Sequence, residues 1–358
     1  MILLLHSRYR VPGGEERAVE DLAWLMRTEL GEEAAILTRD AAALGRRRAA
    51  LGLLAGGLQP GDVAAAVRRT GARIVHAHNV QPTLGWRALA AAREAGARVV
   101  LHLHNYRLVC MVGTCFTHGE DCTRCHGRDT LPGVRLNCRG NRAESAVYGA
   151  GLALWQRRMT DHADAFVVPS DFALGRLRTL GAPLGDRAHV VPSVQRTFAE
   201  RPPRGDFALY AGRLTPEKGV ADAVAACRIA GVPLVVAGEG PERPAGARYV
   251  GRVDAGQLAR LRAGARLALV PSRYEEILPL AALEAMAAGL PVVASRSGGL
   301  AEVVPEAGLH PPGDPRAMAE RIRALWDDPA AGAEALRIAH ERFAPPVVAA
   351  ALRKVYDG

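Results

Sequence analysis

The chain has 358 residues, enough for two domains that each bury a core. Its 49% hydrophobic and 23% charged residues are the balance of an ordinary globular protein, which excludes disordered, collagen-like and membrane-embedded classes. The net charge of +9 sits almost wholly in the first half: residues 1–197 carry 26 Arg against 18 acids, net +8, while the rest nets +1.

Ile2–His6 opens the chain as a short apolar strand. No basic segment precedes it and polar Ser7 and Arg8 follow, so it is neither a secretory signal nor a membrane span. A cytoplasmic address is expected. The basic first half fits peripheral contact with the inner membrane face or another anionic partner, and equally fits a drift toward Arg. After the Gly13–Gly14 loop, Val19, Leu22, Leu25 and Met26 recur at helical spacing and predict a helix over Glu15–Glu29. Strands are expected at Ala34–Thr38, Ile74–His78, Val99–His104, Ala165–Pro169 and His189–Val191. Helices are expected at Thr83–Ala95, Ala143–Thr160 and Asp171–Leu180. Short apolar strands separated by helices indicate a parallel sheet covered on both faces.

Pro202, Pro203 and Gly205, set among charges in Arg196–Asp206, read as an interdomain linker. The alternation then restarts with strands Phe207–Ala211, Pro233–Ala237, Leu267–Val270 and Pro291–Ala294, a helix over Ala281–Ala288, and helices to the C-terminus. The expected division is a first α/β domain over residues 1–197, a second over 198–343, and a C-terminal helix, 344–358, packing back toward the first. In such sheets ligands sit beyond the carboxyl ends of the strands.

The segment Ala211-Gly212-Arg213-Leu214-Thr215-Pro216-Glu217-Lys218-Gly219 joins a strand to a helix. Two cations at a strand's carboxyl end suit a diphosphate, although the same spacing fits a plain strand–helix turn with solvated charges. Glu276 and Glu284 follow a later strand. Carboxylates there can accept hydrogen bonds from vicinal sugar hydroxyls, yet paired Glu residues are also common on solvated helix faces.

Taken in order, Gly212-Arg213-Leu214, Glu217-Lys218-Gly219, Ala237-Gly238-Glu239-Gly240-Pro241, Val270-Pro271-Ser272, Glu276-x7-Glu284 and Gly298-Gly299 closely resemble the retaining glycosyltransferases of family 4. The resemblance extends to Gly13-Gly14-Glu15-Glu16, Val75-His76-Ala77-His78-Asn79 and Leu103-His104-Asn105-Tyr106-Arg107, and so covers essentially the whole chain. It implies the GT-B fold, with two Rossmann-like domains facing each other across a cleft. It also implies transfer of a hexosyl unit from a UDP- or GDP-sugar to an acceptor hydroxyl with retention, and no metal in the chemistry. Arg213, Lys218 and the amides of Gly13 and Gly14 would hold the donor diphosphate. Glu276 would hold donor-sugar hydroxyls, with Ile277 and Leu278 beside it, and Glu284 the ribose. Glu239 would line the donor site, and the base would lie near Val250 and Val253. His104 would be the active-site histidine, with His78, Asn79, Asn105 and Arg107 on the acceptor side. The family usually has an aromatic residue and then Gly where this chain has Ile277 and Leu278, so the Leu278 side chain is expected to crowd the sugar pocket.

Five of the six cysteines lie within residues 110–138. Cys122-x2-Cys125 has the spacing of a zinc knuckle that Cys110 and Cys138 would complete as a structural site, while free thiols or a disulfide pair remain open. These four recur at corresponding places in one subgroup of the family; Cys115 does not. Rival readings are a non-catalytic nucleotide-sugar or polyanion-binding protein on the same fold, and a zinc-dependent nucleic-acid module. Against the second, arginines are scattered and aromatics are only 5%, leaving little stacking surface, so no nucleic-acid partner is expected.

Overall fold

The computed structural model of the protein describes residues 1–8, 13–41 and 43–358. The chain forms two compact units: residues 1–117, 122–194 and 345–358, and residues 118–121 and 195–344. Residues 191–206 carry no helix or strand.

The first unit is built on strands β1 (Ile2–Arg8), β2 (Ala34–Asp40), β3 (Ile74–Ala77) and β4 (Arg98–His102). Two short segments follow, β5 (Phe116–Thr117) and β6 (Glu120–Asp121), the latter grouped with the second unit, and β7 (Ala165–Val168) and β8 (Ala188–Val190) complete the first. The sheet order is β2-β1-β3-β4-β7-β8 and every ladder in it is parallel. Parallel strands under helices are buried on both faces, which is why Ile2–Leu5 is an unbroken apolar run; His6 and Ser7 beyond it are buried too. Helix Gly14–Thr28 buries Val19, Leu22, Ala23, Leu25 and Met26 against this sheet's core, which also takes Val348, Leu352 and Val355 from the C-terminal helix Pro345–Asp357.

The second unit comprises β9 (Phe207–Ala211), β10 (Leu234–Ala237), β11 (Arg248–Gly251), β12 (Ala265–Val270), β13 (Val292–Ser295) and β14 (Leu309–His310). Their order is β11-β10-β9-β12-β13-β14, again all parallel. Separate apolar clusters pack around it, one on helix Leu280–Ala287 and one on helices Val220–Ala230 and Pro315–Trp326.

Both orders reverse direction once. From β1 the chain steps outward to β2 and then crosses back to β3; from β9 it steps outward to β10 and β11 and then crosses to β12. At such a reversal the loops leaving neighbouring strands diverge and open a crevice at the carboxyl edge. Each unit therefore has one such reversal where a ligand is expected, between the exits of β1 and β3 and between those of β9 and β12.

Candidate active site

At the β9/β12 reversal the chain leaves β9 through Gly212 and Arg213, makes a 3-10 turn over Pro216–Lys218, and enters helix Val220–Ala230 through Gly219. Gly219 has φ of 69°, and a Cβ there would stand 2.0 Å from the Pro271 carbonyl at the exit of β12. Only glycine permits that approach. It brings Lys218 Nζ to 2.8 Å from Glu276 Oε1, although 58 residues separate the two. The Ser272 hydroxyl donates to the same oxygen.

Glu276 is 6% exposed. A carboxylate so placed needs paired charge and hydrogen bonds, and Lys218 and Ser272 supply both. Burial works against the Lys218 ammonium, but the Glu276 carboxylate and the Tyr274 hydroxyl outweigh it and hold its pKa above the ordinary lysine range. The loop after β13 leans on the same residue: Gly299 N donates to Glu276 O at 2.8 Å, and a Cβ on Gly298 would meet that oxygen at 2.3 Å. Three strand exits thus converge on one lysine–glutamate pair.

The other donor-side candidates spread along the same edge. Arg213 is exposed, 3.4 Å from Glu217. Glu239 is exposed just beyond β10, while Val250 lies in the edge strand β11 and Val253 just past it. Glu284 stands on helix Leu280–Ala287 and accepts from Arg262, a residue 9% exposed. Sequence reasoning gave Arg262 no role, because the helix that carries it, Ala255–Ala263, was not foreseen. Ile277 is buried, and Leu278 is half-buried and packs against the core around helix Leu280–Ala287. The Leu278 side chain thus packs in part against this core, on the loop that carries Glu276.

In the first unit, His78 and Asn79 follow β3, and His104 lies two residues beyond the end of β4. One pocket is lined by His78, Asn79, His104, Asn105 and Arg107 together with Glu15. The four acceptor-side candidates and His104 thus line one pocket. Glu15 is an addition, and its signal was the acidic first turn of the helix after Gly13–Gly14. Gly13 N donates to Glu16 Oε2 at 2.7 Å, so this backbone amide is already engaged in capping that helix.

Behind the pocket, His78 Nδ1 is 2.7 Å from His104 Nε2, so one ring donates and the other accepts. His76 Nδ1 meets Tyr356 Oη at 2.7 Å, and His76 Nε2 meets His102 Nδ1 at 3.2 Å. Ligand atoms of His76, His78 and His102 lie within 4.8 Å of one another. His76–His78 and His78–His102 stack with interplanar angles of 17° and 27°, so their in-plane lone pairs do not converge on one ion. These rings form a packed ladder rather than a metal centre.

Burial lowers the pKa of all four histidines, to about 3 for His76 and well below the ordinary value for His78 and His102. For His104 the burial effect also prevails, with Glu15 opposing it. Folded-state values below the unfolded value place the stabilisation above pH ~6.5, and it is lost as pH falls toward the folded values. The midpoint of urea unfolding is expected to be flat from pH 8 to 7 and to fall steadily toward pH 5. The slope for each buried ring is about 1.4 kcal/mol per pH unit, and His76→Gln should flatten it by about one ring's share. A midpoint equal at pH 7 and pH 5 contradicts a neutral ladder.

No described helix is long and apolar enough to cross a membrane. Two domain families match the chain: Glycosyl transferase 4-like domain over residues 13–193 and Glycosyl transferases group 1 over residues 206–328. Among curated proteins, the glycogen synthase of Mycobacterium tuberculosis (strain CDC 1551 / Oshkosh) is 40% identical over 185 residues, covering 44% of each chain. A GDP-mannose-dependent alpha-(1-6)-phosphatidylinositol dimannoside mannosyltransferase of M. tuberculosis (strain ATCC 25177 / H37Ra) is 32% identical over 197 residues, 48% of this chain and 51% of that protein. The chain spans about half the length of these relatives. Among solved structures, sucrose-phosphate synthase from Thermosynechococcus elongatus aligns at TM-score 0.69 with 19% identity, over 100% of this chain and 98% of that one. Anabaena Alr3699/HepE in complex with UDP and glucose aligns at 0.65 with 17% identity, over 100% and 99%. These likenesses show a GT-B fold. With half of it matched by the first domain family alone, the chain belongs to the glycosyl transferase 4-like family.

Proposed function

We propose that the protein is a retaining glycosyltransferase that moves a hexosyl unit from a UDP- or GDP-sugar to an acceptor hydroxyl without a catalytic metal. It would belong to the subgroup marked by His104-Asn105-Tyr106-Arg107-Leu108 and the downstream cysteines. The observation that carries the reading is the buried Lys218–Glu276 pair at the β9/β12 reversal, with Arg213 on the same strand exit. As the anomeric bond breaks, negative charge grows on the departing diphosphate. A lysine kept ionised by its neighbour is a preorganised counter-charge there, and the exposed Arg213 is a second cation. UDP in Alr3699/HepE and the mannosyl donor named for the M. tuberculosis relative support the donor class.

The first unit would take the acceptor at the pocket of His78, Asn79, His104, Asn105 and Arg107. A neutral His104 suits a hydrogen-bonding role toward sugar hydroxyls better than a charged one. The helix Arg46–Leu54 presents exposed Arg46, Arg47 and Arg48, with Leu51 and Leu54 exposed at 60% and 39%. Cations beside apolar side chains suit an anionic membrane surface, which favours a lipid-linked acceptor and peripheral attachment.

Nucleoside diphosphate release is expected from a UDP- or GDP-sugar in the presence of acceptor, and it should survive brief EDTA treatment. Turnover lost to EDTA and restored by Mg²⁺ or Mn²⁺, with the fold intact by circular dichroism, would refute the metal-free mechanism. Tight binding of nucleotide sugars with no turnover across acceptors would instead favour a binding protein.

A further inference from the structure

We propose that His78 is a positioning residue for His104: its Nδ1–H donates to His104 Nε2 and fixes His104 as the tautomer protonated at Nδ1, so that His104 meets a sugar hydroxyl as a hydrogen-bond donor and not as a base. The role toward sugar rests on the glycosyltransferase reading of the pocket, whereas the tautomer follows from the rings themselves. The two histidines leave the carboxyl ends of adjacent parallel strands, β3 and β4.

Near-parallel rings can meet face to face or edge to edge. The planes of His78 and His104 lie within 17° of each other, yet their centroids stand 5.0 Å apart while Nδ1 and Nε2 are only 2.7 Å apart. Those distances together mean an edge-to-edge contact, in which the N–H of one ring points along the in-plane lone pair of the other. His102 covers a face of the same His104 ring, with centroids 3.9 Å apart and planes within 14°. His102 is tied in turn to His76, and His76 to Tyr356 Oη. Held on one face and at Nε2, the His104 ring has Nδ1 left for a ligand in the pocket that His78, His104 and Glu15 line.

The contact holds one proton, and its direction follows from the far side of His78. Burial holds the pKa of both rings below the ordinary histidine value, so at neutral pH each is neutral with a single N–H. Were His104 the donor, His78 would carry its proton on Nε2. His78 is 2% exposed, and its Nε2 is buried with no hydrogen-bond partner among the described residues. A proton there would be a buried donor without an acceptor, whereas the opposite direction leaves only an unused lone pair. Orphaned buried N–H groups are the rarer defect. The pocket side agrees: the Glu15 carboxylate favours the proton on His104, and a carboxylate in the pocket stabilises an N–H facing it and repels a lone pair. With Nε2 occupied by the His78 N–H, His104 has no lone pair to take a proton from an acceptor hydroxyl.

The test uses the full chain labelled with nitrogen-15 histidine. Proton–nitrogen correlation spectra distinguish protonated from unprotonated ring nitrogens, and the signals of each ring are identified by their loss in variants. Native protein should show Nδ1 protonated and Nε2 unprotonated in both His78 and His104; a His104 protonated at Nε2 overturns the proposal. His78→Asn keeps an amide N–H where Nδ1 stands and should preserve the His104 pattern, whereas His78→Phe should release it and populate both tautomers. A His104 pattern unchanged in His78→Phe overturns the positioning role. Transfer is measured separately. An Asn amide reaches the place of Nδ1 and a Gln amide that of Nε2, so His104→Asn should keep kcat/KM roughly 3- to 10-fold above His104→Gln, the scale of one hydrogen bond. Equal values in these two variants overturn the donor role toward sugar while the tautomer stands. The spectra need no substrate, so a chain that transfers no sugar would refute the glycosyltransferase reading without touching the tautomer. If His78→Phe does not fold, the native spectrum and His78→Asn decide.

Discussion

Replacing Lys218 by alanine is expected to lower kcat/KM with the nucleotide-sugar donor by roughly 30- to 1000-fold, the ~2–4 kcal/mol associated with losing a preorganised charge contact to the transition state. Two effects must be separated, because Lys218 also neutralises Glu276 at 2.8 Å. Breaking a buried pair by removing one partner leaves an uncompensated charge and costs about 3–5 kcal/mol of stability. Lys218→Ala should therefore also lower the unfolding midpoint, whereas a Lys218→Ala, Glu276→Gln double variant should regain much of the stability without regaining the rate. Arg213→Ala has no buried partner to orphan, since Arg213 is exposed and only 3.4 Å from Glu217 across one turn. It should reduce kcat/KM on the same scale while leaving the midpoint nearly unchanged. Either lysine or arginine variant retaining native kcat/KM would remove that residue from the diphosphate site.

This pairing was not legible in the sequence, where Lys218 and Glu276 were assigned to different parts of the donor, diphosphate and sugar. Each strand was visible because a buried parallel strand is an apolar run. Strand order is not encoded in such a run, however, and it is the adjacency of β9 and β12 that joins the two residues. The same holds for His78 and His104, which meet because β3 and β4 are neighbours. The helices Arg46–Leu54 and Pro60–Thr70 escaped because arginine, alanine and glycine blur their apolar periodicity. Strand β11, Arg248–Gly251, escaped because an edge strand with an exposed arginine lacks an apolar run. Motif residues were easier to place than their partners. Glu284 was noticed and Arg262 was not, since only the fold shows that the buried arginine needs a carboxylate.

Glu276→Gln distinguishes two roles for Glu276. The glutamine can still accept from Lys218 and Ser272, but it replaces one acceptor oxygen by a donor and leaves the buried Lys218 ammonium without its counter-charge, so the unfolding midpoint should fall as well. If Glu276 holds donor-sugar hydroxyls, the variant loses hydrogen bonds to a charged group, worth about 1.5–3 kcal/mol, or roughly a 10- to 150-fold loss in sugar transfer. Affinity for free UDP or GDP should then change little, because the hydroxyls Glu276 would hold belong to the sugar, which the free nucleotide lacks. If Glu276 serves only to fix Lys218, intact donor and free nucleoside diphosphate should weaken together. Leu278 supplies the companion measurement. Its side chain is half-buried against the core, so Leu278→Gly should cost stability through lost packing and a freer backbone. It should also broaden the range of nucleotide sugars accepted, because the β-carbon and its branch disappear beside Glu276. A lower Tm with an unchanged donor ranking would assign Leu278 to the core alone and move the wall of the sugar pocket elsewhere along the β12 exit.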